Sequence, residues 1–228
     1  MQAVTFTLIP AAAVLLGSIF ALARRPSDAF TSAMQHLAAG VVFAAAAAEI
    51  LPQVMHTASP IATFSGGALG IVVMLSLKAF EERAKGPVAM IAAVAIDILI
   101  DGLVLGLAFV AGAKAGLLLT VALTLEVLFL GVTMTTELGE TFKSKLRVLS
   151  IAAGIAVLLP IGAALGTPVA TFPPKVIAGF LSFGLMALLF LVTEELLVEA
   201  HEKPDSPLIS AMFFVGFLGL LLFEELLG

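Results

Sequence analysis

Cysteine and tryptophan are absent from this 228-residue chain. Without cysteine there is no disulfide framework and no thiolate metal site, and the redox compartment cannot be read from thiol usage. Charge is scarce as well: Asp, Glu, Lys and Arg make up 12% of the residues, where soluble domains carry about a quarter. What fills the chain instead is apolar. Hydrophobic residues account for 61% and mean hydropathy is +1.19, far outside the soluble range. The sequence therefore reads as an integral membrane protein whose surroundings are a lipid bilayer, and no nucleic-acid partner is expected. Its net charge of −5 says little, because in such a protein the placement of charge carries the information. The first apolar run has no basic segment before it and continues into a polytopic pattern, so it reads as a retained span rather than a cleaved signal.

Crossing the hydrocarbon core takes about 20 apolar residues. Cutting the chain at its polar, Pro-rich and Gly-rich breaks leaves eight such runs, near 4–24, 30–54, 60–79, 88–112, 116–138, 147–167, 174–198 and 208–226. They are continuous, rich in Ala and Leu, and lack dyad alternation, which predicts transmembrane helices rather than a barrel. Little sequence remains for anything else, so a single all-α membrane domain over 1–228 with short loops is expected. Of the 11 basic residues, nine (Arg24, Arg25, Lys78, Arg83, Lys85, Lys143, Lys145, Arg147 and Lys203) fall on one side of the alternating spans, and only Lys114 and Lys175 on the other. By the positive-inside rule the nine mark the cytoplasm, which puts both termini outside a cytoplasmic membrane. The oligomeric state is open, a homodimer being one arrangement.

A weak internal repeat runs through these spans. AEILPQVMH (48–56) ends the second and TEELLVEAH (193–201) the seventh, each with Glu and His seven apart; AFEER (79–83) ends the third and LFEEL (222–226) the eighth. Pro10 and Pro160 hold comparable places in the first and sixth. Residues 1–85 thus resemble 146–228, and the central pair, 86–140, leaves the two copies facing opposite ways. Inverted repeats mark secondary transporters, with the substrate site near the midplane. Chance recurrence of Glu-rich helix ends in a low-complexity sequence is the alternative.

A carboxylate at the bilayer centre costs about 2.5–3.5 kcal/mol on insertion scales and so requires a partner, a proton or water. Asp97 and Asp101 lie near the middle of the fourth span, i and i+4 on one face, and Glu126 near the middle of the fifth. Gly102 and Gly106 flank that face, where small residues let helices approach. No Lys or Arg sits inside a span to pair with these acids. Such a cluster either binds a cation or holds a proton on at least one member, and both point to a cation or proton pathway; a single Asp hydrogen-bonding a neighbouring helix is the plainer alternative. Further residues could extend a path. Glu49 is displaced toward one side of the membrane, and Glu194, Glu195 and Glu199 toward the other. His56 and His201 stand at the two mouths, and His36 near the start of the second span. Each terminal Glu, taken alone, also fits a solvated helix end, the reading given to Glu81, Glu82, Glu137, Glu140, Glu202, Asp205, Glu224 and Glu225.

These residues resemble the ZIP (Zrt/Irt-like) divalent metal transporters. DILIDGLVLGLAF (97–109) is similar to the fourth-helix motif H-N-x-P-E/D-G, with Asp97 at the His position, Ile98 at Asn, Ile100 at Pro, and Asp101-Gly102 matching the acid-glycine pair. AAGVVF (38–43) and EILPQ (49–53) resemble the family's second helix. LPIGAALG (159–166) resembles its sixth-helix EPLGALLG with Leu159 in place of Glu, and VTEELLVEAH (192–201) its seventh-helix end. In the fifth helix the family's H/Q-N/D/E-x-P-E-G becomes LEVLFLG (125–131). Depending on register, Phe129 or Leu130 replaces the motif's acid.

The resemblance implies an eight-helix bundle in a 3+2+3 inverted-repeat arrangement, working by alternating access with a metal centre between the fourth and fifth helices. The family's binuclear centre is not expected, because the fourth-helix His, fifth-helix acid and sixth-helix Glu are all replaced; one site from Asp97, Asp101 and Glu126 remains. Those donors are hard oxygens, which suit Mg²⁺, Ca²⁺ or Mn²⁺, while Zn²⁺ and Fe²⁺ also accept carboxylates. The ion is the transported substrate and no resident cofactor is expected. Small-residue runs such as FAAAAA (43–48) offer smooth faces for one helix group to slide against another. Two rivals keep the fold and change the role: a proton-carrying transporter of another solute, and a non-transporting ZIP-like protein. No enzyme is expected. An intramembrane aspartyl protease needs two aspartates on neighbouring helices, commonly in a G-x-G-D context, whereas Asp97 and Asp101 share one helix and that motif is absent.

Overall fold

The computed structural model describes residues 2–24, 26–56, 59–83, 86–202 and 206–227. Among them there is no strand, and eight helices are long and apolar enough to cross a membrane, the architecture of a multi-pass membrane protein. In chain order they are α1 (Gln2–Ala23), α2 (Asp28–His56), α3 (Pro60–Arg83), α4 (Pro87–Ala111), α5 (Ala113–Thr141), α6 (Lys145–Thr171), α7 (Pro174–His201) and α8 (Pro207–Leu227). Every boundary lies within four residues of the run read from hydropathy. The reason is punctuation. Four of the helices begin on a proline, whose missing N–H is no loss in a first turn; Ser27 and Ser144 cap α2 and α6 by accepting from the backbone N–H of Phe30 and Arg147. Arg25, Lys85 and Lys203, three of the nine basic residues, and Asp205 lie outside the described residues, as do the side chains of Glu81 and Glu82.

Four of the helices are interrupted, and each break has a local cause. α1 breaks at Thr7 and α6 at Val157, each three residues before a proline, Pro10 or Pro160, which has no N–H to donate and crowds the carbonyl four residues back. Two wider π-turns follow a different logic. Ala46–Ile50 in α2 lies just before Pro52, which cannot bond the carbonyl of Ala48. Leu191–Leu196 in α7 carries Thr193, whose hydroxyl bonds the carbonyl of Leu189 at 2.9 Å and so competes in the helical ladder. Glu49 sits in the first π-turn, Glu194 and Glu195 in the second.

The helices pack as close pairs: α1 with α5, α2 with α8, α3 with α7 and α4 with α6. Glycine makes each approach. A methyl group at Gly17 would strike the backbone of Leu128, at Gly40 that of Phe213, at Gly66 that of Gly179, and at Gly102 that of Leu159. In lipid, where apolar burial drives little association, such backbone proximity supplies the van der Waals contact that holds helices together. α4 also packs on α5 and α5 on α2, joining the pairs. One apolar cluster gathers residues of α1, α4, α5 and α6, including Val14, Ile98, Val127 and Leu159. A second gathers α2, α3, α7 and α8 with the other halves of α4 and α5. Large apolar side chains cover the outside, Ile61 being 84% exposed, as expected of a surface that meets acyl chains rather than water.

Candidate cation centre

Asp97 and Asp101 project from one face of α4 because they are one helical turn apart. α5 crosses that face and brings in Glu126, so that one oxygen from each of the three carboxylates lies within 4.8 Å of the others. Asp101 and Glu126 are 3% and 1% exposed, and Asp97 is half-buried. Among the described residues, Asp101 Oδ2 and Glu126 Oε2 have no hydrogen-bond partner. Behind the cluster, Leu159 of α6 is fully buried and its backbone lies against Gly102, so the glycine is what allows α6 to close the far side of α4.

A cavity of about 30 Å³ opens beside Asp97 and Glu126, room for a water or a dehydrated ion. Its wall also contains Gln35 from α2, Thr133 from α5, and Glu195 and Glu199 from α7. Four acids and no basic side chain line it. Gln35 donates from Nε2 to Glu199 Oε2 at 2.5 Å, while its own Oε1 is buried without a partner. Farther along α2 and α7, the His36 and His201 rings meet edge to face at 4.9 Å; His36 is buried, with Nδ1 on the Ser32 carbonyl and Nε2 unpartnered. Ser32 donates to the Ala200 carbonyl and fixes the two helices there.

The other residues singled out in the sequence stand apart from this cavity. Glu194, next in sequence to Glu195, turns outward and pairs with Lys78 of α3 at 2.5 Å. Glu49 belongs to the opposite end, where Lys114 lies 3.9 Å from it and 3.3 Å from Glu224. Glu224 is thus held by a lysine and its side chain is only 24% exposed, rather than standing at a solvated end. His56 is exposed at the end of α2. Gln35 and Thr133 carried no functional reading in the sequence; the available signal was a glutamine beside His36 in the otherwise small and apolar opening of α2, SAMQHLAAG.

Chemically the centre offers hard oxygen donors with no basic side chain lining the cavity beside them. One oxygen from each of the three carboxylates is close enough to the others for a single ion to approach all three. No protein-family model matches the chain, and no curated protein sequence matches it. What it is rests on architecture and site together: a multi-pass helical membrane protein with acids gathered inside it.

Proposed function

We propose that the chain is a ZIP-like secondary transporter that carries a divalent metal cation across the cytoplasmic membrane by alternating access, with Asp97, Asp101 and Glu126 as the cation ligands. The observation that carries this reading is the cluster of three carboxylates within 4.8 Å, two of them buried with an unpartnered oxygen. Burying such a group without compensation is costly. A transported cation supplies the missing positive charge for part of each cycle. Glu195, Glu199 and Gln35 continue the polar wall from the centre toward the basic end, which is the cytoplasmic end in this reading, and form the route on that side. Glu49 and Glu224 flank the opposite entrance.

The 3+2+3 inverted repeat belongs to the same proposal. Its support is a set of matched features: proline breaks in α1 and α6, π-turns with Glu in α2 and α7, and pairings that exchange under the repeat, α1–α5 with α6–α4 and α2–α8 with α7–α3. The close pairs divide the bundle into α1–α5 with α4–α6 and α2–α8 with α3–α7, the two groups that move against each other in this reading. The chain is not an enzyme in this reading.

Purified protein in liposomes tests it. Uptake of Mn²⁺, Zn²⁺ or Cd²⁺ that Asp101→Ala abolishes is the expected result, together with anomalous density between α4 and α5 in metal-soaked crystals. Proton flux indifferent to metals would instead make the carboxylates proton carriers. Density without uptake would make the protein a non-transporting metal binder, and an empty centre in every soak would remove the metal.

A further inference from the structure

A recess of about 710 Å³ runs along the outer seam of α3 and α7, within the ~300–1,000 Å³ range of small-molecule sites. Its walls are almost wholly apolar, with Ile61 and Leu69 from α3, Val176, Phe180 and Phe183 from α7, and Leu103 from α4. The floor is rigid: Gly66 meets the backbone of Gly179, and Ser182 donates to the Thr63 carbonyl at 2.7 Å, so the hollow is shaped by a locked helix pair.

The recess has a polar mouth and a definite depth. Ser59 and Lys175 stand at one end, where α3 and α7 both begin, so two helix N-termini present their positive ends beside a lysine. Among the described residues Lys175 has no acidic partner, whereas Lys114, at the same end of the bundle, is engaged by Glu224 and Glu49. No acidic side chain lines the recess. From Ser59 to Leu69 the wall descends ten residues, about 15 Å at 1.5 Å per residue, and half of a ~30 Å hydrocarbon core is the same depth. The recess therefore spans one leaflet.

We propose that this recess binds one anionic phospholipid, its acyl chain lying between α3 and α7 and its phosphate held by Lys175 at the mouth. The inference does not rest on transport. Native mass spectrometry of the full-length protein, released from bilayers containing phosphatidylglycerol and phosphatidylcholine in equal amounts, tests it. One phosphatidylglycerol per chain is expected to survive release and to be preferred about tenfold. Lys175→Ala should erase the preference, Lys175→Arg restore it, and Ser65→Phe, which fills the recess from an exposed position, remove retention of either lipid at unchanged melting temperature. A preference unaffected by Lys175→Ala, or retention unaffected by Ser65→Phe, overturns the proposal. So does efficient interchain crosslinking of Ser65→Cys in this otherwise cysteine-free protein, since a second copy would then cover the face.

Discussion

Acids at the ends of the bundle and acids at its middle are treated in opposite ways. Glu194 pairs with Lys78, and Glu49 and Glu224 share Lys114, so for these three carboxylates toward the ends the chain provides its own cation. At the middle, where water is scarcest and an isolated charge most expensive, Asp97 and Glu126 line a cavity with no basic residue and Asp101 lies beside them. Were the carboxylates structural, the chain would gain most from a lysine at the centre and least from one at the rims. The reverse distribution is what a site for a visiting cation requires, because a resident lysine would compete with it.

The largest expected effect comes from removing central charge. Asp101→Asn or Glu126→Gln should lower metal uptake at least a hundredfold while leaving metal-free stability unchanged or raised, because a buried like-charge repulsion is lost. The paired measurement is the melting temperature with and without metal. An ion that binds the folded parent should stabilise it by about 2.7 kcal/mol at a hundred times its Kd, and the variants should lose that increment. Uptake persisting in both variants would separate the cluster from transport.

A second change makes the middle resemble the ends. Leu130 lines the cavity beside Glu126 and is half-buried. Leu130→Lys places an ammonium group among the carboxylates, and uptake should fall tenfold or more, with no metal-dependent shift in melting temperature. A variant that transports normally would mean that the missing counter-ion is incidental.

Packing around the centre gives an intermediate effect. A methyl group at Gly102 would strike the Leu159 backbone, so Gly102→Ala must push α6 away from α4 at a cost of about 1–3 kcal/mol. Gly154, in the same α6, has open space around it, and Gly154→Ala should be neutral or stabilising by up to ~1 kcal/mol. Thermal unfolding of both variants separates close approach from generic helix propensity. Equal outcomes would show that the α4–α6 contact is looser than these positions imply.

The contrast between middle and ends was only half legible in the sequence. The spans were readable because proline, serine caps and charge punctuate them, and Asp97, Asp101 and Glu126 because acids are conspicuous in apolar runs. Which of two adjacent glutamates faces inward was not readable. Successive helical residues differ by about 100°, and the π-turn at Leu191–Leu196 shifts the register where Glu194 and Glu195 diverge. Gln35 was hidden for another reason: its meeting with Glu199 spans 164 positions and depends on α2 and α7 crossing. The Lys114–Glu224 contact is likewise distant in sequence, 110 positions apart, which is why Glu224 reads as a solvated end.

The smallest effects belong to the rims, and their inequality is informative. Lys78 and Glu194 are 30% and 48% exposed, so Lys78→Gln should cost no more than about 1 kcal/mol, the usual range for a solvated pair. Lys114 differs because it lies close to two acids, and Glu49 beside it is only 12% exposed. Lys114→Gln leaves Glu49 and Glu224 together without their shared cation. That repulsion should cost more than the Lys78 change and be partly relieved by a second substitution, Glu224→Gln. A double-mutant cycle on Lys114 and Glu224, read by thermal unfolding, measures it. Additive effects would mean that water already screens Glu49 and Glu224, in which case both rims are solvated ends and only the middle of the bundle carries unspent charge.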